Sequence, residues 1–541
     1  MSPVNVQVLI VGGGPAGLAA AVELGLRGVQ VLVIEPRTMV SMDRPRAKTT
    51  NIRTMEHLRR WGLADRLREA AFLPVAWSQD TMFCTTVLGR EITRFTGCLG
   101  LTPERCDTHA EAGQQVPQPI VEQVLRGAVA ELPNVTFAVG WTFVGLIQDA
   151  DRVVVSAVDA AGTRREIKAD YAIGSDGSTS PTRRAIGAFF EGSTDGRPNF
   201  SMVFHSEGLA RLVPHKPAIH HWVLDPVVPG IVGPMNLHGT WWAMAMGVPP
   251  EVGEADPIRL IRALIGPGGE DVDIELVSTD HWTARMLNAN TYRVGRVFLI
   301  GDAAHLNPPW GGHGFNTAVG DAVNLGWKLA AVLAGWGGSS LLDSYEAERR
   351  PIAQQTIDLA SLNMSKLSTN FADPLLALDG PEGDACRAAV AADIQAHKYA
   401  EFHSLGLVLG YHYGRSPLTV SDDSPEPEVE TTTFTPSARP GARLPHAWLP
   451  DGRSIYDVLG PDFTLLVLGD EADPSAMVEA FAQAGVPLRL VNATDIGLEQ
   501  TVLYAADMVL VRPDQHVAWR STSDLLDEAG ATQVALRATG S

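Results

Sequence analysis

The stretch Val6-Gln7-Val8-Leu9-Ile10-Val11-Gly12-Gly13-Gly14-Pro15-Ala16-Gly17 decides the reading of this 541-residue chain. Its first six residues form a nearly continuous apolar run, suited to a parallel strand buried on both faces. The glycines that follow fit a G-x-G-x-x-G turn. Gly12 permits the tight turn, Gly14 lets a pyrophosphate approach the backbone, and Gly17 lets helix and strand pack closely. A helix is expected from Pro15 to about Arg27, its N-terminal N–H groups facing the phosphate charge. The run Val29 to Ile34 completes a β-α-β unit. Glu35 follows, 18 residues beyond Gly17, where a carboxylate can bind a ribose hydroxyl pair. Dinucleotide binding is therefore expected at Gly12, Gly14, Pro15, Ala16, Gly17 and Glu35.

Two more strand-to-turn corners stand farther along. Gly174-Ser175-Asp176-Gly177-Ser178-Thr179-Ser180-Pro181-Thr182-Arg183 follows a strand at Tyr171 to Ile173. Strand Val297 to Ile300 leads into Gly301-Asp302-Ala303-Ala304-His305, then Pro308-Pro309-Trp310-Gly311-Gly312-His313-Gly314-Phe315-Asn316. There a strand delivers an Asp to a sugar, and a Gly-rich loop opens a helix running from about Asn316 to Leu333. Its free N–H groups can point at bound polar atoms. A flavin ring at that loop would have its N1/C2 edge stabilised as an anion when reduced, and side chains larger than glycine would block the approach. Any one corner alone has an ordinary structural reading. The functional reading requires that segments 12–17, 176–183 and 301–316 converge on one extended cofactor.

Composition narrows the classes. The chain has 42 Lys and Arg against 62 Asp and Glu, a formal net charge of −20, which argues against nucleic acid or an anionic membrane as partner. Its four cysteines form no C-x-x-C pair, so neither a zinc site nor a dithiol centre is indicated, and reduced thiols in a cytoplasmic protein are expected. No basic run followed by an apolar stretch opens the chain, and no apolar run reaches the ~18 residues that span a bilayer.

Between about Phe190 and Trp282 short runs (Ser201 to Phe204, Ile219 to Leu224, Thr240 to Val248) separated by Pro and Gly turns read as an inserted antiparallel sheet. Residues 344–406 look largely helical. Ser421 to Thr433 is acidic and poor in apolar residues and reads as a linker. Strands at Phe463 to Leu468, Pro487 to Leu490 and Met508 to Val511, with a helix near Pro474 to Gln483, suggest a small α/β tail.

The three corners in this order resemble the class A flavoprotein aromatic hydroxylases, the p-hydroxybenzoate hydroxylase and phenol hydroxylase group, over roughly residues 1–410. Tyr411-His412-Tyr413, the segment 439–446 and the segment 512–520 resemble the chlorophenol-type and polyketide-tailoring branch. The fold implied is α/β: a Rossmann-like FAD-binding domain (1–75, 100–190 and 283–410) with an inserted antiparallel-sheet substrate domain (76–99 and 191–282). A linker (411–435) and a thioredoxin-like α/β domain (436–541) would follow. No cysteine lies beyond Cys386, so the tail cannot run disulfide chemistry.

The resemblance also implies roles. Glu35 would hold the adenosine ribose, and Asp302 would contact the ribityl–pyrophosphate part of FAD. Asp176 and Gly177 would lie near the pyrophosphate and bear on NADPH use. Arg46, Gln118, Arg37 and Arg126 would attend the flavin nucleotide, and Pro308 with Gly312, Gly314, Phe315 and Asn316 would flank the ring. His313 could relay a proton beside the flavin, or simply pack there. The implied reaction is reduction of FAD by NADPH or NADH, addition of O2 to give a C4a-hydroperoxide, and oxygen transfer to a phenol-like or hydroxypyridine-type ring. With no second G-x-G-x-x-G after a strand, no separate NADPH domain is expected. A pocket between flavin and inserted sheet would draw on His220, His221, Trp222, Trp241, Trp242, Met244 and Trp282, although strand alternation turns about half of each run away. No residue stands out as the base that deprotonates a phenol. Baeyer–Villiger or epoxidising oxygenation, a non-catalytic FAD scaffold, a homo-oligomer, and a separable tail acting as an interaction module stay open. In the last case, truncation near Glu430 should leave a head that still oxidises NADPH.

Overall fold

A computed structural model describes residues 4–43, 48–422, 424–426, 428–499, 501–521 and 526–541. Strand Val4–Val11 lies within a mostly parallel sheet. It pairs with Val31–Glu35 on one side and Arg164–Gly174 on the other, and Val135–Val139 and Val297–Leu299 extend the sheet in parallel beyond them. Val8 and Ile10 pack on helix Pro15–Leu26, whereas Leu9 and Val11 pack on strand Val153–Val158. Both faces of the strand are thus covered, which explains its apolar run. Helix Pro15–Leu26 is itself clasped between helices Gln118–Ala130 and Gly314–Leu333.

A second sheet of eight strands stands beside it, in the order His305–Leu306, Glu275–Ala289, Phe190–His205, Thr240–Met246, Gly230–Pro234, His220–Val223, Thr81–Cys84, Glu91–Phe95. All its pairings are antiparallel except that of His220–Val223 with Thr81–Cys84. Phe190–His205 is far longer than the Ser201 to Phe204 run legible in the sequence. Its register shifts between Thr194 and Pro198, where Pro198 has no N–H to give the ladder. Helix Pro381–Phe402 packs on strand Glu91–Phe95, over the end of the sheet.

The tail forms a four-stranded sheet in the order Leu488–Asn492, Phe463–Val467, Met508–Val511, Val517–Arg520. Its first pairing is parallel and the other two antiparallel, with helices Ser475–Gln483 and Glu528–Thr539 in contact. Its core does not stop at a domain boundary: Phe463, Leu465 and Ala535 share one apolar cluster with Trp327, Ala331 and Leu341. The stretch read as a linker is not a loose tether either. Tyr413 and Leu418 are buried, Thr431 O accepts from Leu407 N at 3.1 Å, and Ala518 O accepts from Val420 N at 3.0 Å. Its polar composition hid the few apolar anchors that hold it. Among the described residues no helix is long and apolar enough to cross a membrane.

Candidate active site

The three corners meet. Gly12 has φ +107°, and a Cβ there would stand 2.4 Å from Ser175 O. Ser175 Oγ donates to Val11 O at 3.0 Å and to Gly12 O at 2.7 Å, tying the first corner to the second. A Cβ on Gly301, at φ +57°, would lie 3.0 Å from Ala16 Cβ, so the third corner touches the first helix. Arg183 closes the ring. It donates to Ala303 O at 3.0 Å and Ser178 O at 3.1 Å, joining second corner to third. Arg183 stands at the end of the second sequence motif, where nothing in the spacing signals this tie.

This groove fits an FAD. No atom lies within 4 Å of where a Cβ on Gly14 would be, and Gly14 caps helix Pro15–Leu26 without any side-chain hydrogen bond, leaving its first-turn N–H groups available to phosphate. Glu35 ends its strand buried. One carboxylate oxygen accepts from Gly13 N at 2.7 Å, the other from Arg37 N at 3.0 Å and Arg37 Nε at 2.7 Å. Gln118 Nε2 donates to Glu122 Oε1 at 2.9 Å, and Arg37 Nη2 stands 3.6 Å from the other Glu122 oxygen. Arg126, within the field of Glu122, Glu35 and Arg37, leaves buried Nε and Nη2 with no hydrogen-bond partner. Unmet buried donors beside a glycine cradle suit a nucleotide's oxygens. Asp176 accepts from Thr182 N at 2.8 Å and from Ser180 Oγ. It therefore shapes its own turn, at Gly177. Arg46 lies outside the described residues.

Beyond the groove a cavity of about 560 Å³ opens. Thr49, Pro117, Ser178, Asp302, Pro309, Gly311 and Gly312 line its nucleotide side, and Trp222, Trp242, Met244 and Trp282 line its sheet side, with Trp310 and Phe402. Trp310 stacks obliquely on Trp222 and Trp282 at centroid distances of 5.9 and 6.3 Å, and Trp282 Nε1 donates to Ser201 Oγ at 2.9 Å.

Several expected residues stand elsewhere. Trp241 turns to the other face of its strand, into the core with Met202, Phe204 and Leu260. His221 also leaves the wall to its neighbours His220 and Trp222. Its register partner Met82 belongs to the Trp241 core, and burial pushes the imidazole down to about 4. Both corrections follow from the two-residue period of a strand. Pro309, not Pro308, faces the cavity; Pro308 is buried behind it. His313 is also off the wall. Its carbonyl accepts from Thr317 N at 2.9 Å at the start of helix Gly314–Leu333, and burial holds its ring down to about 4, so it is neutral near pH 7. Its ring lies behind the wall against Gly311, with Nε2 buried and without a hydrogen-bond partner. Phe315 packs against the main core. The Asn316 side chain staples the loop, donating to Thr49 O at 3.0 Å and Gly312 O at 2.7 Å and accepting from Asn51 N at 2.9 Å. Gly314, between them, opens that helix.

The sequence reading also missed a buried polar chain leading away from the cavity. Asn307, on the wall, stands 3.1 Å from His305 Nδ1, and His305 Nε2 is 2.8 Å from Asp321 Oδ2. Arg349 Nε donates to Asp321 Oδ1 at 2.8 Å, and Arg349 Nη1 to Tyr413 Oη at 3.0 Å. Burial opposes charge on His305, yet Asp321 outweighs it and holds the imidazole above its ordinary range.

A model for an FAD binding domain matches residues 5–360, and one for the C-terminal domain of aromatic-ring hydroxylases matches residues 437–541. The chain belongs to the class A flavoprotein aromatic hydroxylases. This hydroxylase is 31% identical to a 2,4-dichlorophenol 6-monooxygenase of Delftia acidovorans, over 96% of the chain and 95% of that protein. Its fold matches RebC soaked with chromopyrrolic acid and holding 7-carboxy-K252c, at TM-score 0.90 and 34% identity with all of both chains covered. It also matches the flavin-dependent monooxygenase PieE in complex with FAD and substrate, at TM-score 0.88 and 31% identity, again over both whole chains. The hydroxylase is an FAD-dependent monooxygenase of aromatic rings, drawing on O2 and a reduced nicotinamide.

Proposed function

We propose that the substrate is a hydroxyaromatic of several fused rings, hydroxylated beside its hydroxyl group. The observation that carries this reading is the sheet side of the cavity, walled by Trp222, Trp242 and Trp282 with Trp310. Four indoles along one wall suit a flat ring system of several rings. RebC holding 7-carboxy-K252c supports the larger substrate class over a single chlorinated ring. Degradation of a small phenol is the second reading, favoured by the chlorophenol monooxygenase relative.

In this reading Glu35 and Arg37 hold the adenosine ribose, Arg126 and the N-terminus of helix Pro15–Leu26 take the phosphates, and Asp302 takes the ribityl chain. The Pro309 to Gly312 turn carries the flavin ring, which Asn316 supports by pinning that turn to Thr49. FAD, when bound, supplies the oxygen transfer. The chain's residues orient the acceptor ring against the turn and exclude water that would discharge the oxygen without product. The test is a panel of hydroxyanthraquinones, naphthols, single-ring phenols and hydroxypyridines, scored by stimulated nicotinamide oxidation and by product mass. Fused-ring phenols should give tighter coupling of product to nicotinamide. Coupled turnover confined to single rings would overturn the proposal.

A further inference from the structure

One half-buried cation on the cavity wall belongs to none of the nucleotide motifs. Lys48 Nζ donates to Ile219 O at 3.0 Å and stands 5.4 Å from the centroid of the Trp242 ring. Thr49, its neighbour, touches the loop beneath the flavin position: a Cβ on Gly312 would meet Thr49 Cβ at 3.1 Å. Lys48 therefore lies where the nucleotide-side loop meets the tryptophan wall. An ammonium has three donors and Ile219 O takes one. Among the described residues no carboxylate pairs with it, and burial alone perturbs it. A second lysine near the wall, Lys398, is fully buried beneath Trp222 and by contrast paired with Glu401. Asp43, His281, Arg285 and Asp302 reach the same cavity from exposed positions, and Asp280 from a half-buried one. A half-buried cation with no carboxylate partner, its remaining donors beside a ligand cavity, is placed to share an anion that enters there.

We propose that Lys48 takes the hydroxyl oxygen of the aromatic substrate as a phenolate, so that the cavity selects hydroxyaromatics in their ionised form. This rests on the substrate reading above. In the step, a phenol O–H bond breaks and its proton forms an N–H bond on the neutral Lys48 amine. The products are phenolate and ammonium side by side, with no other reactant. The phenolate donates electron density into the ring positions beside it, where oxygen is to be added. Burial pushes Lys48 down to about 7, so the amine is substantially present at neutral pH to accept that proton. His220, whose ring meets Trp242 edge-on at 5.7 Å, is driven well below its ordinary value by burial and then by Lys48. It stays neutral and does not compete for the anion.

Alizarin, a dihydroxyanthraquinone whose anion absorbs to the red of the flavin, reads the protonation state directly. It would be titrated into FAD-loaded wild-type enzyme, Lys48→Met and Lys48→Arg across pH. Wild type should bind the anion and lower the dye's apparent pKa by about one unit or more. Lys48→Met should lose that shift and bind about ten- to hundredfold more weakly, as expected for a lost charged hydrogen bond. Lys48→Arg should keep the preference for the anion. A purely structural role for the Ile219 contact would move stability but not the dye's ionisation. Flavin content and circular dichroism check each fold, and if Lys48→Met loses FAD, the wild-type and arginine titrations decide. Wild type binding the dye in neutral form or not at all, or Lys48→Met ionising it as wild type does, overturns the proposal. Hydroxylation of fused-ring phenols that bind neutral would reject Lys48 alone, whereas coupled turnover confined to single rings would reject the substrate reading.

Discussion

Removing one carboxylate should loosen the whole enzyme, because Glu348 joins three parts of the chain. It sits buried on helix Ser339–Met364 and accepts from Arg512 Nη1 and Nη2 at 2.7 and 2.8 Å, Lys328 Nζ at 2.6 Å, Asn324 Nδ2 at 2.7 Å, and Ser416 Oγ. Arg512 belongs to the tail, Ser416 to the connecting arm, and Lys328 and Asn324 to the helix that opens at the flavin loop. Truncating one partner of a buried ion pair typically costs about 3–5 kcal/mol. Two features place Glu348→Ala near the lower end. Arg512 keeps Asp514 at 2.7 Å, and Lys328, which burial already pushes down to about 8, can shed its proton. The expected loss is therefore about 3 kcal/mol, seen as a melting temperature lowered by several degrees. Paired melts followed by circular dichroism and by release of flavin fluorescence should fall together, since helix Gly314–Leu333 carries both the network and the loop. Glu348→Ala melting within about 1 °C of wild type with full flavin would refute this account of the junction. The same geometry reverses the sequence-based expectation for a chain cut near Glu430. Without Arg512 and the tail core, Trp327, Ala331 and Leu341 lose their cover, so the head should be insoluble or flavin-free. A soluble, flavin-loaded head that oxidises nicotinamide would count against it.

Three further outcomes are expected. Gly14→Ala should leave apoprotein stability within about 0.5 kcal/mol, since the new methyl meets nothing and φ is −76°; it should nevertheless weaken FAD in a fluorescence titration, and equal affinity would reject the cradle. Trp241→Ala should cost about 3–5 kcal/mol in urea unfolding with little change in KM, whereas Trp242→Ala should act mainly on KM; the opposite pattern would mean the two faces of that strand are misassigned. Burial works against the charge on Glu56, but Arg443 and Arg53 outweigh it and hold its carboxyl down to about 2. Its unfolded value is about 4.3, so its stabilisation is complete above that pH and is lost as pH falls toward 2, about 3 kcal/mol in all. Urea midpoints from pH 7 to 3 should show that fall, flattened in Glu56→Gln, and identical profiles for the two proteins would remove Glu56 from the account.

The nucleotide half was readable because its chemistry acts through the backbone. Gly12, Gly14 and Gly17 have no side chain to aim, so naming them at the right spacing between a strand and a helix nearly determines their geometry. Glu35 ends a strand, and a strand end has one place to be. The strand Phe190–His205 was shortened in the reading because Gly192 and Pro198 look like punctuation, whereas in the sheet they sit at tight or irregular points of a long strand that continues past them. The tail looked separable because its contacts to the head are made by single residues far apart in sequence. Arg53 reaches Gln515 and Asp514, and Arg443 reaches Glu56. No local pattern announces a partner more than 300 residues away.

The substrate half was legible only to within the parity of a strand. His220-His221-Trp222 and Trp241-Trp242 each put adjacent residues on opposite faces, and nothing local says which face meets the cofactor. That choice is made by the neighbouring sheet, where Pro309 and Trp310 arrive from the third nucleotide corner and select Trp222, Trp242 and Trp282. Lys48 was hidden for a related reason. It lies four residues before the start of helix Ile52–Arg60, a position that reads as solvated charge, and becomes a cavity group only because Ile219 and Trp242 come over it from the inserted sheet. A sign was nonetheless present: six lysines among 42 basic residues make each one on an inner wall unusual in an arginine-rich chain. Arginine stays charged at any working pH, so it can bind an anion but cannot take up the proton that makes one. A lysine at that one place in the wall is the residue type that can do both.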